Sequence, residues 1–366
     1  MTITLSRRTA LAGLGLLCST TALAACSGGA SGDRLKVVII SKSYQNQFYQ
    51  AAFKGAKDAA DKLSVDLETN GPDAESNVSQ QVEQLAAAVN QHPDAIALAA
   101  SQPDAVQDAL VNAKSQSIPV IGFDSGVPGD ASGAVVATAT TDNVAAGGNV
   151  ATNLAANEAF KTAVGAGTTS APAVIGVLAQ DSTSGSIVQR VNGFVDTLVA
   201  ELEKISGLAG AVDVSGQQQW TKPSASPAKA KIVVTVPPTT SQADIQSAAA
   251  SILGTSGLVA MFAANQDGVN GVISATNDAT DLDRASGKYK DLLVVGFDAG
   301  KSQKNAVRSG AFLGSVTQDP YQMGYQAVEL AVKAAKGETV ADVDTGSHWY
   351  DASNLDNEDI SILLYD

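Results

Sequence analysis

Side chains able to hold a polar ligand gather just after short β-branched runs. Lys42, Tyr44, Asn46, Phe48 and Tyr49 follow Leu35–Ile40, Asp124 follows Pro119–Phe123, and Arg190 lies in the stretch after Val174–Leu178. Asn265 and Asp267 follow Leu258–Phe262, Asp298 follows Leu292–Phe297, and Gln318 follows Phe312–Val316. Each hydroxyl of a polyol is both donor and acceptor. Planar Asp, Asn, Gln and Arg groups can bind neighbouring hydroxyls in pairs, and aromatic rings can cover the apolar C–H face. Taken one at a time these residues have plainer roles: Asn46 and Asp124 as helix caps, Arg190 in a surface ion pair, Trp220 as loop packing.

Catalytic chemistry is poorly supported. A nucleophile needs a positioned base, and the only histidines are His92, in a turn before Pro93, and His348, near the end. Beyond residue 25 there is no Gly-x-Ser-x-Gly elbow, phosphate-binding loop or dinucleotide fingerprint. Asp344-Thr345-Gly346 matches half of an aspartic protease dyad without a second copy, and reads as a turn. Asp281-Leu282-Asp283 starts like a calcium loop but has Ala285 and Leu292 at later ligand positions. With two cysteines and two histidines, this inventory calls for no metal and no cofactor.

Elements that could position these groups follow from the hydrophobic pattern. Strand candidates are Leu35–Ile40, Val65–Glu68, Ala95–Ala99, Pro119–Phe123, Val135–Ala139, Val174–Leu178, Ile232–Val236, Leu258–Phe262, Leu292–Phe297 and Phe312–Val316. Helical stretches lie between most of them: one carries apolar residues at Phe48, Ala52, Ala56, Ala59 and Leu63, and others span Gln81–Val89 and Asp142–Ala156. Strands alternating with helices predict an α/β fold with parallel sheets covered on both faces. Val120-Ile121-Gly122-Phe123-Asp124-Ser125-Gly126 recurs 174 residues later as Val294-Val295-Gly296-Phe297-Asp298-Ala299-Gly300. That spacing is too long for a solenoid and fits two similarly wound lobes. Ligands of open parallel sheets sit at the carboxyl ends of strands, where both aspartates fall. The stretch from Asp213 to Pro238, with Gln217-Gln218-Gln219-Trp220 and four prolines, reads as an irregular insertion, and the tail from His348 to Asp366 as a docked segment.

The chain has 366 residues, 45% hydrophobic and 16% charged, which suits two domains with sizeable cores. A formal charge of −14 argues against binding nucleic acid or anionic lipid through a basic patch. Residues 1–25, with Arg7-Arg8, an apolar run and Leu23-Ala24-Ala25 before Cys26, read as an export signal. Arg7-Arg8 is compatible with twin-arginine or general export. Removing two arginines and no acids takes the charge from −14 to −16 and leaves Cys26 as the only thiol. Residues 26–33 then form a Gly/Ser-rich tether.

Leu23-Ala24-Ala25-Cys26 resembles a bacterial lipobox, which implies a lipid on Cys26 and anchoring at the outer face of the cell membrane. The body resembles the type I periplasmic sugar-binding proteins of ABC importers, in particular the ribose-binding group. The resemblance is carried by Asn46-Gln47-Phe48-Tyr49, Ile118-Pro119-Val120 through Asp124, Thr141-Asp142-Asn143, Gln189 through Phe194, Phe262 through Asn265, Val295-Gly296-Phe297-Asp298 and Gln318. It implies two α/β lobes joined by three crossovers: residues 34–141 with 319–347, and 142–318 with 348–366. In this resemblance Asn46 and Asp124 bind hydroxyls, Phe48 and Tyr49 stack on the ring, and Arg190, Asn265, Asp298 and Gln318 close from the second lobe. Trp220 stands in for a second stacking aromatic. One departure is Ser125, where ribose-binding proteins have arginine.

The implied role is that of a monomeric, non-enzymatic protein that clamps a monosaccharide or polyol by hinge closure and delivers it to a membrane permease. Two other readings stay open: a sensor or quorum-signal receptor for a small polyhydroxylated ligand, and a secreted lipoprotein enzyme. A transcription repressor of this fold would need a DNA-binding segment where the export signal stands.

Overall fold

Runs such as Val37–Ile40, Ala95–Leu98 and Leu293–Phe297 are buried on both faces, as strands of a parallel sheet covered by helices must be. In a computed structural model, residues 34–365 are described. The signal segment, Cys26 and the tether lie outside the described residues.

The strands are β1 (Lys36–Ile40), β2 (Asp66–Asn70), β3 (Ala95–Leu98), β4 (Val120–Phe123), β5 (Val135–Thr140), β6 (Ala173–Leu178) and β7 (Val212–Gly216). After these come β8 (Ala230–Thr235), β9 (Leu258–Ala263), β10 (Leu293–Phe297), β11 (Gly314–Gln318), β12 (Val343–Asp344) and β13 (Ser347–Tyr350). Among the described residues they form two sheets, ordered β12-β5-β4-β3-β1-β2 and β13-β11-β10-β9-β6-β8-β7. All pairings are parallel except β11 with β13. Each sheet has a hydrophobic core on both faces, so the chain forms two α/β lobes, each wound around its own sheet. The chain passes between sheets three times: after β5, after β11, and between β12 and β13.

One feature departs from the sequence reading. The stretch from Asp213 to Pro238 contains an unanticipated edge strand, β7 at residues 212–216, and a short helical turn at Gln218–Trp220, while β8 at residues 230–235 falls on the strand expected there. Val212 and Val214 face inward on an edge strand, an alternation too brief to stand out beside the glutamines and prolines. The tail docks as expected, with β13 antiparallel to β11 and Tyr350, Leu355 and Ile360 buried in the second lobe.

The helices that matter for the site are α1 (Gln47–Leu63), α2 (Asn143–Ala156), α3 (Gly185–Glu203), α4 (Gln266–Ala275) and α5 (Pro320–Ala335). In each lobe one pair packs backbone to backbone. A Cβ on Gly147 of α2 would lie 2.0 Å from the Arg190 carbonyl oxygen, and one on Gly193 of α3 would lie 2.0 Å from that of Val144. Gly55 of α1 and Gly324 of α5 meet Tyr321 and Ala52 in the same reciprocal way. Only glycine permits this approach, and it seats the helices that carry Phe48, Tyr49 and Arg190.

Candidate functional site

Parallel strands direct their following loops to one end of a sheet, and here the carboxyl ends of both sheets face one cleft. From the first lobe come Lys42 after β1, Asn46, Phe48 and Tyr49 at the start of α1, Glu75 after β2, and Asp124 after β4. From the second come Gln180 after β6, Arg190 on α3, Asn265 and Gln266 at the start of α4, Asp298 after β10 and Gln318 at the end of β11. They enclose a polar cavity of about 30 Å³. Local structure explains several positions. Asn46 caps α1 by accepting from the Phe48 N–H at 2.9 Å, and Asn265 caps α4 by accepting from the Gly268 N–H at 3.0 Å. Each cap leaves the amide NH₂ for other partners.

Asp124 is the centre of the first lobe's half. The Lys42 Nζ lies 3.1 Å from its carboxylate, and the Tyr49 hydroxyl donates to it at 2.7 Å. Burial alone would lower the Lys42 pKa, but the carboxylates of Asp124, Glu75 and Asp181 outweigh it and hold the ammonium charged. Burial, with Asp124 beside it, pushes the Tyr49 phenol well up, so it remains a donor. Lys42 also donates across the cleft to the Ser184 hydroxyl at 3.2 Å.

Arg190 and Asp298 form the opposite half. The guanidinium donates to Asn143 Oδ1 at 3.2 and 2.8 Å and to the Ala264 carbonyl at 2.7 Å, and it lies 3.5 Å from the Phe297 ring centroid. Its Nη1 is 3.9 Å from an Asp298 carboxylate oxygen. Burial depresses the arginine pKa, and Asp298 and Asp124 counteract it. Asp298 accepts from Gln318 Nε2 at 2.5 Å and from the Gln266 backbone N–H at 2.9 Å. Burial raises its pKa against the pull of Arg190 and these donors.

Beside these halves lies an acidic strip. Gln180 donates to Glu75 at 3.1 Å and, more weakly, to Asp267 at 3.4 Å, while Asn265 donates to the Gln180 side-chain oxygen. Burial, together with neighbouring carboxylates, raises Glu75 to about 8 and Asp267 to about 6. The donors Lys42, Arg190 and Asn265 are engaged within the protein, whereas the Gln266 and Gln318 side-chain oxygens are buried without a partner among the described residues. A buried orphan acceptor is costly, so a ligand that offers hydroxyl donors improves the site. The cleft suits a neutral, hydroxyl-rich molecule with one apolar face against Phe48.

Nine of the residues anticipated from sequence line this cavity: Lys42, Asn46, Phe48, Tyr49, Asp124, Arg190, Asn265, Asp298 and Gln318. Two do not. Tyr44 packs its ring 5.3 Å from Phe53 on the outer side of α1 and stays partly exposed. Trp220, 2% exposed, is part of the second lobe's core, because the turn after edge strand β7 folds the ring inward instead of toward the cleft. Glu75, Gln180, Ser186 and Gln266 line the cavity without having been singled out. The strand-end rule that found Asp124 also applies to Gln180, two residues beyond β6. Asn143, which orients Arg190, entered the sequence reading only within the Thr141-Asp142-Asn143 motif, without a role of its own.

The family profile described as "Periplasmic binding protein domain" matches residues 37–339. The ribose import binding protein RbsB of Escherichia coli (strain K12) is 26% identical over 331 residues, covering 89% of this chain and 94% of that protein. Among solved structures, one titled "ABC transporter, LacI family transcriptional regulator" from Brachyspira murdochii is 35% identical with a TM-score of 0.76, covering 91% of this chain and 99% of the other. A carbohydrate transporter solute binding protein from Agrobacterium radiobacter, solved with D-arabinose, is 27% identical with a TM-score of 0.72, covering 91% and 100%.

Proposed function

The chain belongs to the periplasmic binding protein family, and on that footing we propose that it is the substrate-binding component of an ABC importer, holding a monosaccharide or related polyol between its lobes. The observation that carries this reading is the inner cavity, to which both lobes contribute, with Asp124 on one side and Asp298 with Arg190 on the other. The relatives named above, a ribose import protein and a carbohydrate solute-binding protein holding D-arabinose, support the same class of ligand.

Binding works as a hinge. Lys42 with Ser184, Glu75 with Gln180, and Gln47 with Gln266 at 3.1 Å bridge the lobes, and the cavity they close leaves room for about two waters. A sugar ring therefore enters as the lobes part, and contacts made from both sides favour closure around it. A micromolar dissociation constant corresponds to about −8 kcal/mol, within reach of several charge-assisted hydrogen bonds and one stacked ring. The ligand leaves chemically unchanged, the closed form docks on a membrane permease, and the exported chain is held at the outer face of the membrane through Cys26.

Ser125 bears on which sugar is bound. Its hydroxyl donates to the Ala100 carbonyl at 2.9 Å, away from the arginine role that the ribose-binding pattern has at this position, while Lys42 supplies the cation beside Asp124. An ammonium is a point donor and an arginine a two-pronged one, so the set of satisfied hydroxyls differs from that for ribose. Calorimetric titration with D-ribose, D-arabinose, D-galactose, D-glucose, myo-inositol and furanosyl signals tests the proposal. Micromolar binding of at least one nutrient sugar or polyol supports it, binding of a furanosyl signal alone favours a sensor, and no binding overturns it.

A further inference from the structure

A second, larger chamber adjoins the inner cavity across the Glu75–Gln180 hydrogen bond. It has a volume of about 330 Å³ and shares Glu75 and Gln180 with the inner site. Its walls are the loops that follow β2, β3, β6 and β8. In the sheet orders β2 and β8 lie at or near the ends opposite the strands that cross between lobes. The chamber is thus the mouth of the cleft, on the side away from the hinge.

Its chemistry is that of a built site. Ser101, 7% exposed, belongs to this lining, and its buried hydroxyl has no hydrogen-bond partner among the described residues. Thr183, Thr239 and Thr240 add hydroxyls from the second lobe. Val236, Pro237 and Pro238 provide an apolar wall whose backbone is preset by the two proline rings. The volume falls at the lower end of the roughly 300–1,000 Å³ typical of small-molecule sites. Among the described residues Glu75 and Asp181 are the titratable groups of the lining and no cation joins them, so nothing there balances the charge of a phosphate or a carboxylate.

We propose that this mouth chamber is a subsite for a second, neutral, hydroxylated unit of the ligand, so that the protein's preferred cargo is a disaccharide or similar glycoside with one ring in the inner cavity and the other against Ser101, Pro237 and Pro238. The Pro-rich segment, with no evident purpose in the sequence, becomes the platform for the outer ring. The inference rests on the sugar-binding reading above.

Calorimetry on the whole exported chain with D-galactose and D-glucose, and with lactose, melibiose, cellobiose and trehalose, tests it. At least one disaccharide is expected to bind about tenfold or more tightly than either monosaccharide, a difference near 1.4 kcal/mol. Gln102→Trp, at an exposed position of the chamber wall, is expected to weaken that disaccharide about tenfold while leaving monosaccharide affinity within about twofold. Ser101→Ala provides a smaller second perturbation in the same direction. Monosaccharides that bind as tightly as every disaccharide, or a Gln102→Trp variant that weakens both classes equally, would overturn the subsite and leave the sugar-binding reading standing. Failure of every sugar to bind would overturn both.

Discussion

Asp124 and Asp298 leave their strands in the same left-handed backbone conformation, with φ of 53° and 71°, and both line the cleft between the lobes. They end the repeated Gly-Phe-Asp segments of β4 and β10, one in each lobe. A non-glycine residue in this region costs roughly 1–2 kcal/mol, and aspartate is among the few that enter it readily because its short side chain bonds locally. The chain accepts that strain at two equivalent places. In both, the turn brings a buried carboxylate to the cavity, where Lys42 or Arg190 lies beside it.

Removal of either carboxylate, or of the arginine, is expected to disable the site. Asp124→Ala, Arg190→Ala and Asp298→Ala should each abolish the thermal stabilisation that the cognate sugar confers on the wild type. Arg190→Ala should also cost about 3–5 kcal/mol of stability, because it leaves Asp298 buried without its cation. Differential scanning fluorimetry with and without sugar reads both effects, and wild-type-like shifts in all three variants would refute the site.

Acid should stabilise the folded chain between about pH 5 and pH 8. Glu75 at about 8 and Asp267 at about 6 lie above the usual carboxyl range near 4, so over this window the folded state binds more protons than the unfolded. Their contribution is present in full below the unfolded pKa and is lost as pH rises through the folded one. Burial raises Asp298 in the same direction, and Lys42 is charged throughout. The sugar-free Tm is expected to fall from pH 5 to pH 8.5, and Glu75→Gln should flatten most of that slope. An unchanged slope in the variant would remove Glu75 from the account.

The helix contact behind Arg190 leaves no room for a methyl group. Gly193→Ala places a Cβ against the Val144 carbonyl, and is expected to cost about 1–3 kcal/mol as α2 and α3 move apart. Because Asn143 on α2 holds Arg190 on α3, sugar affinity should fall as well. Gly254→Ala, whose added methyl meets nothing closer than 3.5 Å, serves as the control in chemical denaturation and should be nearly neutral.

Trp220 is expected to affect stability and leave affinity alone. Its indole N–H is buried without a partner among the described residues, so Trp220→Phe removes an unsatisfied donor while leaving a modest void, at a cost within about 1–3 kcal/mol. The dissociation constant for sugar, measured on the folded variant, should stay within about twofold of wild type. A tenfold loss would return this residue to the binding site.

Much of the architecture was legible because its causes are local. Strands such as Ala95–Leu98 announce themselves by unbroken apolar runs, and α1 by the spacing of Phe48, Ala52, Ala56 and Ala59. Asp124 and Asp298 were found because a carboxylate directly after a buried strand marks the ligand end of a parallel sheet. β7 was missed because an edge strand of five residues beside a proline-rich loop has too short an alternation to register. Trp220 and Tyr44 were misplaced for a related reason: an aromatic ring fits a sugar face and a protein core equally well, and only the path of the turn decides which it meets. Tyr365 shows the same limit, since its ring reaches Phe48, 5.9 Å away between centroids, and its hydroxyl accepts from the Ala299 N–H only once the tail has folded back.

The sequence by itself determined the winding of the two lobes, the ends of the strands on which the chemistry sits, and most of the side chains that face the cleft. Tertiary structure alone decided how those side chains are spent. Asp124 accepts from Tyr49 across 75 positions of chain, and Arg190 donates to Asn143 across 47. A donor satisfied from so far away leaves no trace in local spacing, because periodicity records which way a side chain points and not what meets it. The open acceptors on Gln266 and Gln318, and the second chamber beyond Glu75, come into being only when the two lobes bring their loops together.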